Sequence, residues 1–162
     1  MDRLWTPWRY QYVSSPKQGS EGCIFCAKPA ENEDRDNLLV YRARHNYIIL
    51  NLFPYTSGHL MVAPYAHVAT LEEAGSETIA ELMVLTRKAE MVLRQVYRPH
   101  GLNLGMNIGS AAGAGVAGHI HMHVLPRWTG DANFMTTIGE TRVMPETLDE
   151  TWRRLQAAFS AA

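Results

Sequence analysis

Between Gly118 and Arg127 the chain reads Gly-His-Ile-His-Met-His-Val-Leu-Pro-Arg, so His119, His121 and His123 occupy every second position. Their spacers Ile120, Met122 and Val124 are apolar, and successive side chains of a strand point to opposite faces. The run is predicted to be a half-buried strand, with three imidazoles on one face and three apolar groups in the core. Packing gives no reason to stack three titratable rings together. A metal, a proton relay or a nucleophile with attendants does. A histidine-rich tract that collects metal opportunistically would explain neither the strict alternation nor the glycine-rich loop before it.

Four more strands are predicted upstream, at Leu38–Ala43, Tyr47–Leu52, His59–Ala63 and Leu102–Ile108, with a turn from Pro54 to Gly58 between the second and third. Thr70-Leu71-Glu72-Glu73 is a capping-box signature that opens a helical region. From Ser76 to Tyr97, Ile79, Leu82, Met83, Ala89, Leu93, Val96 and Tyr97 recur at helical spacing, and Pro99 and Gly101 end the helix. The methionines in it are expected to fill the core. Leu148, Trp152, Leu155 and Phe159 mark one packed face of a last helix within Pro145–Phe159. Short turns and one long inserted helix indicate an α+β fold on a five-stranded antiparallel sheet. Residues 1–22 read as an arm carrying Trp5, Trp8, Tyr10 and Tyr12, residues 23–162 as a single domain, and residues 28–37 as a polar, solvated loop.

A chain of 162 residues can bury such a core without covalent staples. Its net charge of −1 offers no basic field for nucleic acid or an anionic membrane, and no apolar run has the length of a membrane span. The N-terminus lacks the apolar centre of a signal peptide. With Cys23 and Cys26 as the only cysteines, a cytoplasmic location with reduced thiols is expected. In that setting Cys23-x-x-Cys26 reads as a zinc half-site short of two ligands. The alternatives are a metal-free dithiol or a thioredoxin-like redox pair, whose βαβ context is missing.

The segment from Asn107 to Gly118 contains four glycines and four alanines after Asn107-Ile108. Bare backbone N–H groups there suit an anion such as phosphate, whereas a flexible hairpin connection is the plain alternative.

Taken together, these motifs resemble the histidine triad (HIT) superfamily of nucleotide hydrolases and transferases. The triad run itself looks like that family's signature. Asn51-Leu52-Phe53-Pro54 with Gly58-His59-Leu60-Met61-Val62-Ala63-Pro64 is similar to its ribose-side strand pair. Asn107-Ile108-Gly109 resembles the start of its loop, and Cys23-Ile24-Phe25-Cys26 its N-terminal cysteine pair. Leu4-Trp5-Thr6-Pro7 and Pro126-Arg127-Trp128-Thr129-Gly130-Asp131-Ala132-Asn133-Phe134 are similar to one branch, the bacterial diadenosine tetraphosphate phosphorylases.

The resemblance implies a HIT-like sheet that pairs into a ten-stranded homodimer, and cleavage of a dinucleoside polyphosphate through a covalent nucleotidyl-histidine, with phosphate or water as acceptor. His121, flanked by two other histidines, suits the nucleophile, and the family assigns that role to its position. His123 and His59 are then expected to polarise the leaving or bridging oxygen, with His119 completing the catalytic set. Asn51 corresponds to the ribose-gripping residue, while Asn107 and the loop residues Gly113, Ala114, Gly115 and Val116 would hold phosphate oxygens. Turn capping is the plain alternative for both asparagines. Many relatives carry Gln-Ser or Gln-Thr where this chain has Gly115 and Val116, so backbone groups or Ser110 must supply that donor. The family also offers the missing zinc ligands, His67 and His119, closing a structural Cys23, Cys26, His67, His119 site. An apolar adenine pocket is expected from the strands near Ile48 and Leu50.

Competing readings are a nucleoside phosphoramidate or other nucleotide-conjugate hydrolase, a metallohydrolase using the three histidines, and a nucleotide sensor without turnover. Against the metallohydrolase, i, i+2 and i+4 positions on one strand do not converge easily on a single ion. Action on adenylated nucleic-acid ends would want a basic surface that the chain lacks.

Overall fold

Side chains of the second and third strands are buried on both faces, and this organises the whole domain. The computed structural model describes residues 22–132, 136, 138 and 145–162. The aromatic arm, Leu4-Trp5-Thr6-Pro7 and Asn133-Phe134 lie outside the described residues. Five strands, β1 (Leu39–Arg42), β2 (Asn46–Leu50), β3 (Leu60–Pro64), β4 (Gly101–Met106) and β5 (Met122–Arg127), form one sheet in the order β1-β2-β3-β5-β4. Every neighbouring pair is antiparallel. Among the described residues three α-helices accompany them: α1 (Ile24–Ala30), α2 (Ser76–Tyr97) and α3 (Leu148–Ala161).

Period-two alternation sorts the side chains of β2 and β3 into two cores. Ile48, Leu50, Leu60 and Val62 pack with Val124 under α2 and α3, against Leu82, Leu85, Ala89, Leu93, Leu155 and Phe159. Tyr47, Ile49, Met61 and Ala63 face the other way and are covered by Cys23 and Phe25 from the start of the chain. A half-buried strand would need only the first layer. The second exists because α1, read from sequence as a cysteine pair followed by a polar loop, folds over the sheet. The Tyr47 hydroxyl donates to the Phe25 carbonyl at 2.7 Å and fixes α1 there.

Helix α2 spans the predicted residues, but two expectations around it fail. One capping-box bond forms, Glu73 N–H donating to Thr70 Oγ1 at 3.3 Å, but Glu73 Oε2 accepts from the Ala69 N–H at 2.8 Å rather than from Thr70, and the pair closes a turn. The helix begins afterwards, behind Gly75. The methionines do not fill the core: Met83 and Met91 are 52% and 59% exposed, and Leu85, Thr86 and Val92 take the inner positions. At the other end Arg98 turns left-handed at φ 46° and its N–H caps Arg94 O, ending the helix before Pro99.

One glycine is required by geometry. Gly58 has φ +76°, and a Cβ there would come within 2.9 Å of the Tyr97 ring. It lets the β2–β3 connection turn tightly into His59 while lying against the end of α2. Among the described residues no helix is long and apolar enough to cross a membrane.

Candidate functional site

The triad does not lie wholly on a strand. The ladder starts at Met122, so His119 and His121 belong to the extended approach to β5, and only His123 sits within it. Ile120 and Val124 enter the core as expected, at 1% and 0% exposure. The three imidazoles part company: His119 turns to the cysteines, and His121 and His123 turn to a cavity.

Each ring's proton is placed by its partner. His121 Nδ1 lies 2.9 Å from the carbonyl oxygen of His119, which can only accept, so Nδ1 carries hydrogen and Nε2 holds a lone pair. Burial lowers the pKa of His121, with the His119 carbonyl opposing, and keeps the ring neutral. The Phe25 ring stacks on it at 4.6 Å and 28°.

A second chain of bonds serves His123. The Tyr55 backbone N–H, a donor only, reaches His59 Nδ1 at 3.2 Å, and Asn51 Nδ2 approaches the same atom at 3.3 Å. His59 therefore carries hydrogen on Nε2 and donates it to His123 Nδ1 at 2.8 Å. Neutral His123 in turn presents an Nε2–H. Asn51 is thereby committed to His59 and, through Oδ1, to the Phe53 N–H at 3.0 Å.

His121 and His123 line a cavity of about 270 Å³ together with Asn51, Asn107 and Gly115. Its apolar wall comes from Ile24, Phe25, Ile49, Leu52, Phe53 and Met61. Ile49 and Leu50 line it, whereas Ile48 lies only in the helix-covered core. Gly113, Ala114 and Val116 are not among the lining residues. The Gly113 carbonyl instead accepts from Asn107 Nδ2 at 3.5 Å, and Val116 packs beside the Cys23–Phe25 layer. Ser110 opens an exposed 3-10 turn, Ser110–Ala112. Phe25, Lys28 and Tyr55 also line the cavity and were not anticipated. Only Phe25 left a signal, as an apolar residue between two cysteines.

Behind His121 lies a metal-competent cluster. One donor atom from each of Cys23, Cys26, His67 and His119 lies within 4.8 Å of the others. Cys23 Sγ and Cys26 Sγ are 3.4 and 3.6 Å from His119 Nδ1, and Cys26 Sγ is 3.4 Å from His67 Nδ1. Tetrahedral zinc with ordinary Zn–S and Zn–N lengths sets ligand sulfur and nitrogen about 3.6 Å apart, so the donors stand at ligating separation. His119 Nε2 donates to the Pro64 carbonyl at 2.9 Å, which leaves Nδ1 unprotonated and aimed at the sulfurs. Burial, chiefly, lowers the pKa of His119 to about 4. Burial and the neighbouring Cys23 push the Cys26 thiol up to about 11, a cost that a cation between the two sulfurs removes. His45 and His100 stand apart, with Glu77 and Thr129.

Comparison with known proteins agrees with this arrangement. The family model described as HIT domain matches residues 32–130. AP-4-A phosphorylase of Mycobacterium tuberculosis is 44% identical over 166 residues, covering 99% of this chain and 85% of the relative. The asymmetrical bis(5'-nucleosyl)-tetraphosphatase of Schizosaccharomyces pombe is 31% identical over 56% of this chain and 50% of its own. Among solved structures, a zinc-bound histidine triad family protein from Mycobacterium smegmatis superposes with a TM-score of 0.71 at 30% identity, covering 88% of this chain and 96% of that one. The chain belongs to the HIT domain family and is an enzyme.

Proposed function

We propose that the protein cleaves a dinucleoside polyphosphate, diadenosine tetraphosphate in the first instance, through a nucleotidyl group carried on His121. The observation that supports this most is the fixed tautomer of His121: a buried, neutral ring whose Nε2 lone pair is left for the cavity. That lone pair attacks the α-phosphorus, a P–N bond forms, and the P–O bond to the rest of the polyphosphate breaks. His123 Nε2–H donates to the departing oxygen, and the His59–Asn51–Tyr55 network holds that proton on the correct nitrogen. An acceptor oxygen then attacks the phosphorus from the vacated side, hydrogen-bonded to the His123 Nε2–H; the P–N bond breaks, His121 regains its lone pair, and the acceptor's proton passes to solvent. Phosphate as acceptor gives ADP and ATP, and water gives AMP and ATP. The name of the 44% identical relative favours phosphate.

Asn107 and the backbone around Gly115 would donate to the α-phosphate oxygens, a role supported by both residues lining the His121 cavity. Asn51 acts here through His59 and lies beside the ribose. A zinc ion on Cys23, Cys26, His67 and His119 supplies structure alone, since four protein ligands leave it no open position. Cytoplasmic reducing conditions keep those thiols free to bind it. The exposed edge of β4, with Leu104 48% and Ile108 40% exposed, supports pairing with the same edge of a second copy.

Product analysis with diadenosine tetraphosphate, with and without inorganic phosphate, tests the reading. ADP and ATP formed only with phosphate are expected. No cleavage under either condition, in protein shown to be folded, overturns it.

A further inference from the structure

A larger cavity, about 570 Å³, shares one wall with the His121 cavity: Tyr55 lines both. That wall is tied to the catalytic strand, because Thr56 Oγ1 donates to the Pro126 carbonyl of β5 at 3.2 Å. The Tyr55 ring lies against His59 at 4.7 Å and stacks beside His123 at 6.1 Å. The volume falls in the range of ordinary small-molecule sites, roughly 300–1,000 Å³.

Its chemistry excludes some occupants. Two guanidinium groups, Arg127 and Arg154, face three carboxylates, Asp131, Glu146 and Glu150. Arg127 is already held by Asp131 at 2.6 and 2.8 Å. Arg154 is held by Glu146 and the Val96 carbonyl, both at 3.0 Å, and lies 4.6 Å over the Tyr97 ring. A phosphate would meet an excess of negative charge and occupied cations. An uncharged aromatic group carrying hydroxyls and amines meets the opposite. Tyr97 and Trp128, edge to face at 6.3 Å, offer ring surface, and the carboxylates accept hydrogen bonds.

Ser57 supplies an independent sign of a ligand. Ser57 lines this cavity and a smaller one beside it, the residue is only 8% exposed, and its buried Oγ has no hydrogen-bond partner. An orphaned buried hydroxyl costs about 1–3 kcal/mol, and a ligand polar group would relieve it.

We propose that this cavity receives the second nucleoside of a dinucleoside polyphosphate, the half that departs, while the His121 cavity holds the half that is attacked. The inference rests on the function proposed above. The polyphosphate then crosses Tyr55 beside His123, and Tyr55 divides the two nucleoside sites.

The test compares two ligands that differ by that nucleoside. Diadenosine tetraphosphate and adenosine 5'-tetraphosphate are titrated calorimetrically against protein carrying His121→Ala, which cannot turn them over. The dinucleotide is expected to bind about tenfold tighter. Ala132→Trp, at an exposed position lining the cavity, should reduce that ratio to near one with adenosine tetraphosphate affinity held within about twofold. Ser57→Ala, a milder change that leaves the cavity walls in place, should reduce it about threefold.

A ratio near one before any cavity substitution overturns the second site. So does an Ala132→Trp protein that keeps the full ratio, or one that loses both ligands alike. If native protein also fails to cleave diadenosine tetraphosphate, the function itself falls. Cleavage that depends on His121 with no difference between the ligands sinks only the second site.

Discussion

His119 and His121 are two residues apart and both buried, at 1% and 5% exposure, yet their rings meet different surroundings. Each spends one ring nitrogen on a backbone carbonyl, His119 through Nε2 on Pro64 and His121 through Nδ1 on His119 itself. That choice of nitrogen decides which lone pair remains. For His119 it is Nδ1, enclosed by two sulfurs and His67 Nδ1; for His121 it is Nε2, left for a cavity. Burial lowers both pKa values, so both rings stay neutral at pH 7, as the proposed metal ligand and the proposed nucleophile must. Identical side chains are separated in role by which carbonyl each one finds.

The sharpest way to break that contrast is His121→Ala. Turnover of diadenosine tetraphosphate should fall by at least ~10³-fold with thermal stability and zinc content little changed. Near-native turnover in this variant would falsify the nucleophile assignment. Next in size is His123→Ala, for which about a 10²-fold loss in kcat is expected. A phosphoryl ester with a good leaving group, which needs less protonation, should lose much less. Equal losses on both substrates would show that His123 only supports the fold.

The cluster should respond in the opposite sense. Stripping zinc with a chelator, or Cys23→Ser, is expected to lower Tm by roughly 10 °C, a stabilisation of ~3 kcal/mol for a chain of this size. Activity should follow the folded fraction, and a zinc-loaded protein whose Tm ignores chelation would argue against a structural metal.

The smallest effect serves as a control away from both regions. Glu81 accepts from the backbone N–H groups of Arg44, His45 and Asn46 at the β1–β2 turn, at 3.2, 2.7 and 2.8 Å. Burial raises its pKa, but these bonds and the Asn46 side chain outweigh it, and the net shift is downward from 4.5. A folded pKa below the unfolded one means full stabilisation above about pH 4.5, lost as pH falls through the folded value. Glu81→Gln should cost about 1–2 kcal/mol at pH 7, and its difference from native should narrow in acid, with kcat unaffected. A pH-independent difference between pH 7 and pH 3 would count against the charged form's role.

Much of this was legible in sequence because the informative residues form local patterns. The continuous apolar run from Tyr47 to Leu50 and the helical spacing in Leu82 to Leu93 are such patterns, and both elements formed where they were expected. That His121 and His123 turn to one cavity was legible from the alternation of the triad run, whereas His59 entered only through the resemblance to known nucleotide-handling proteins. What sequence could not supply was direction. Nothing in the alternation of His119, Ile120 and His121 says that the ladder starts later, or that the first ring turns to Cys23. Helix α1 was missed because a short segment containing Pro29 carries too few apolar positions to show a period, and its stability comes from docking on Tyr47 and Ile49. Met83 and Met91 misled for the opposite reason: apolar character was read as burial, and the core was already filled by neighbours one or two positions away.

Phe25 gives the fold an order of assembly. It is carried between the first two cluster residues and forms one wall against His121, while Cys23 and His119 are 96 positions apart along the chain. Closing a loop of that length costs roughly 4 kcal/mol of chain entropy. On the ribosome, the cavity-bearing side of the sheet stays unfinished until the polypeptide has been synthesised past residue 121 and its beginning has come back to meet it.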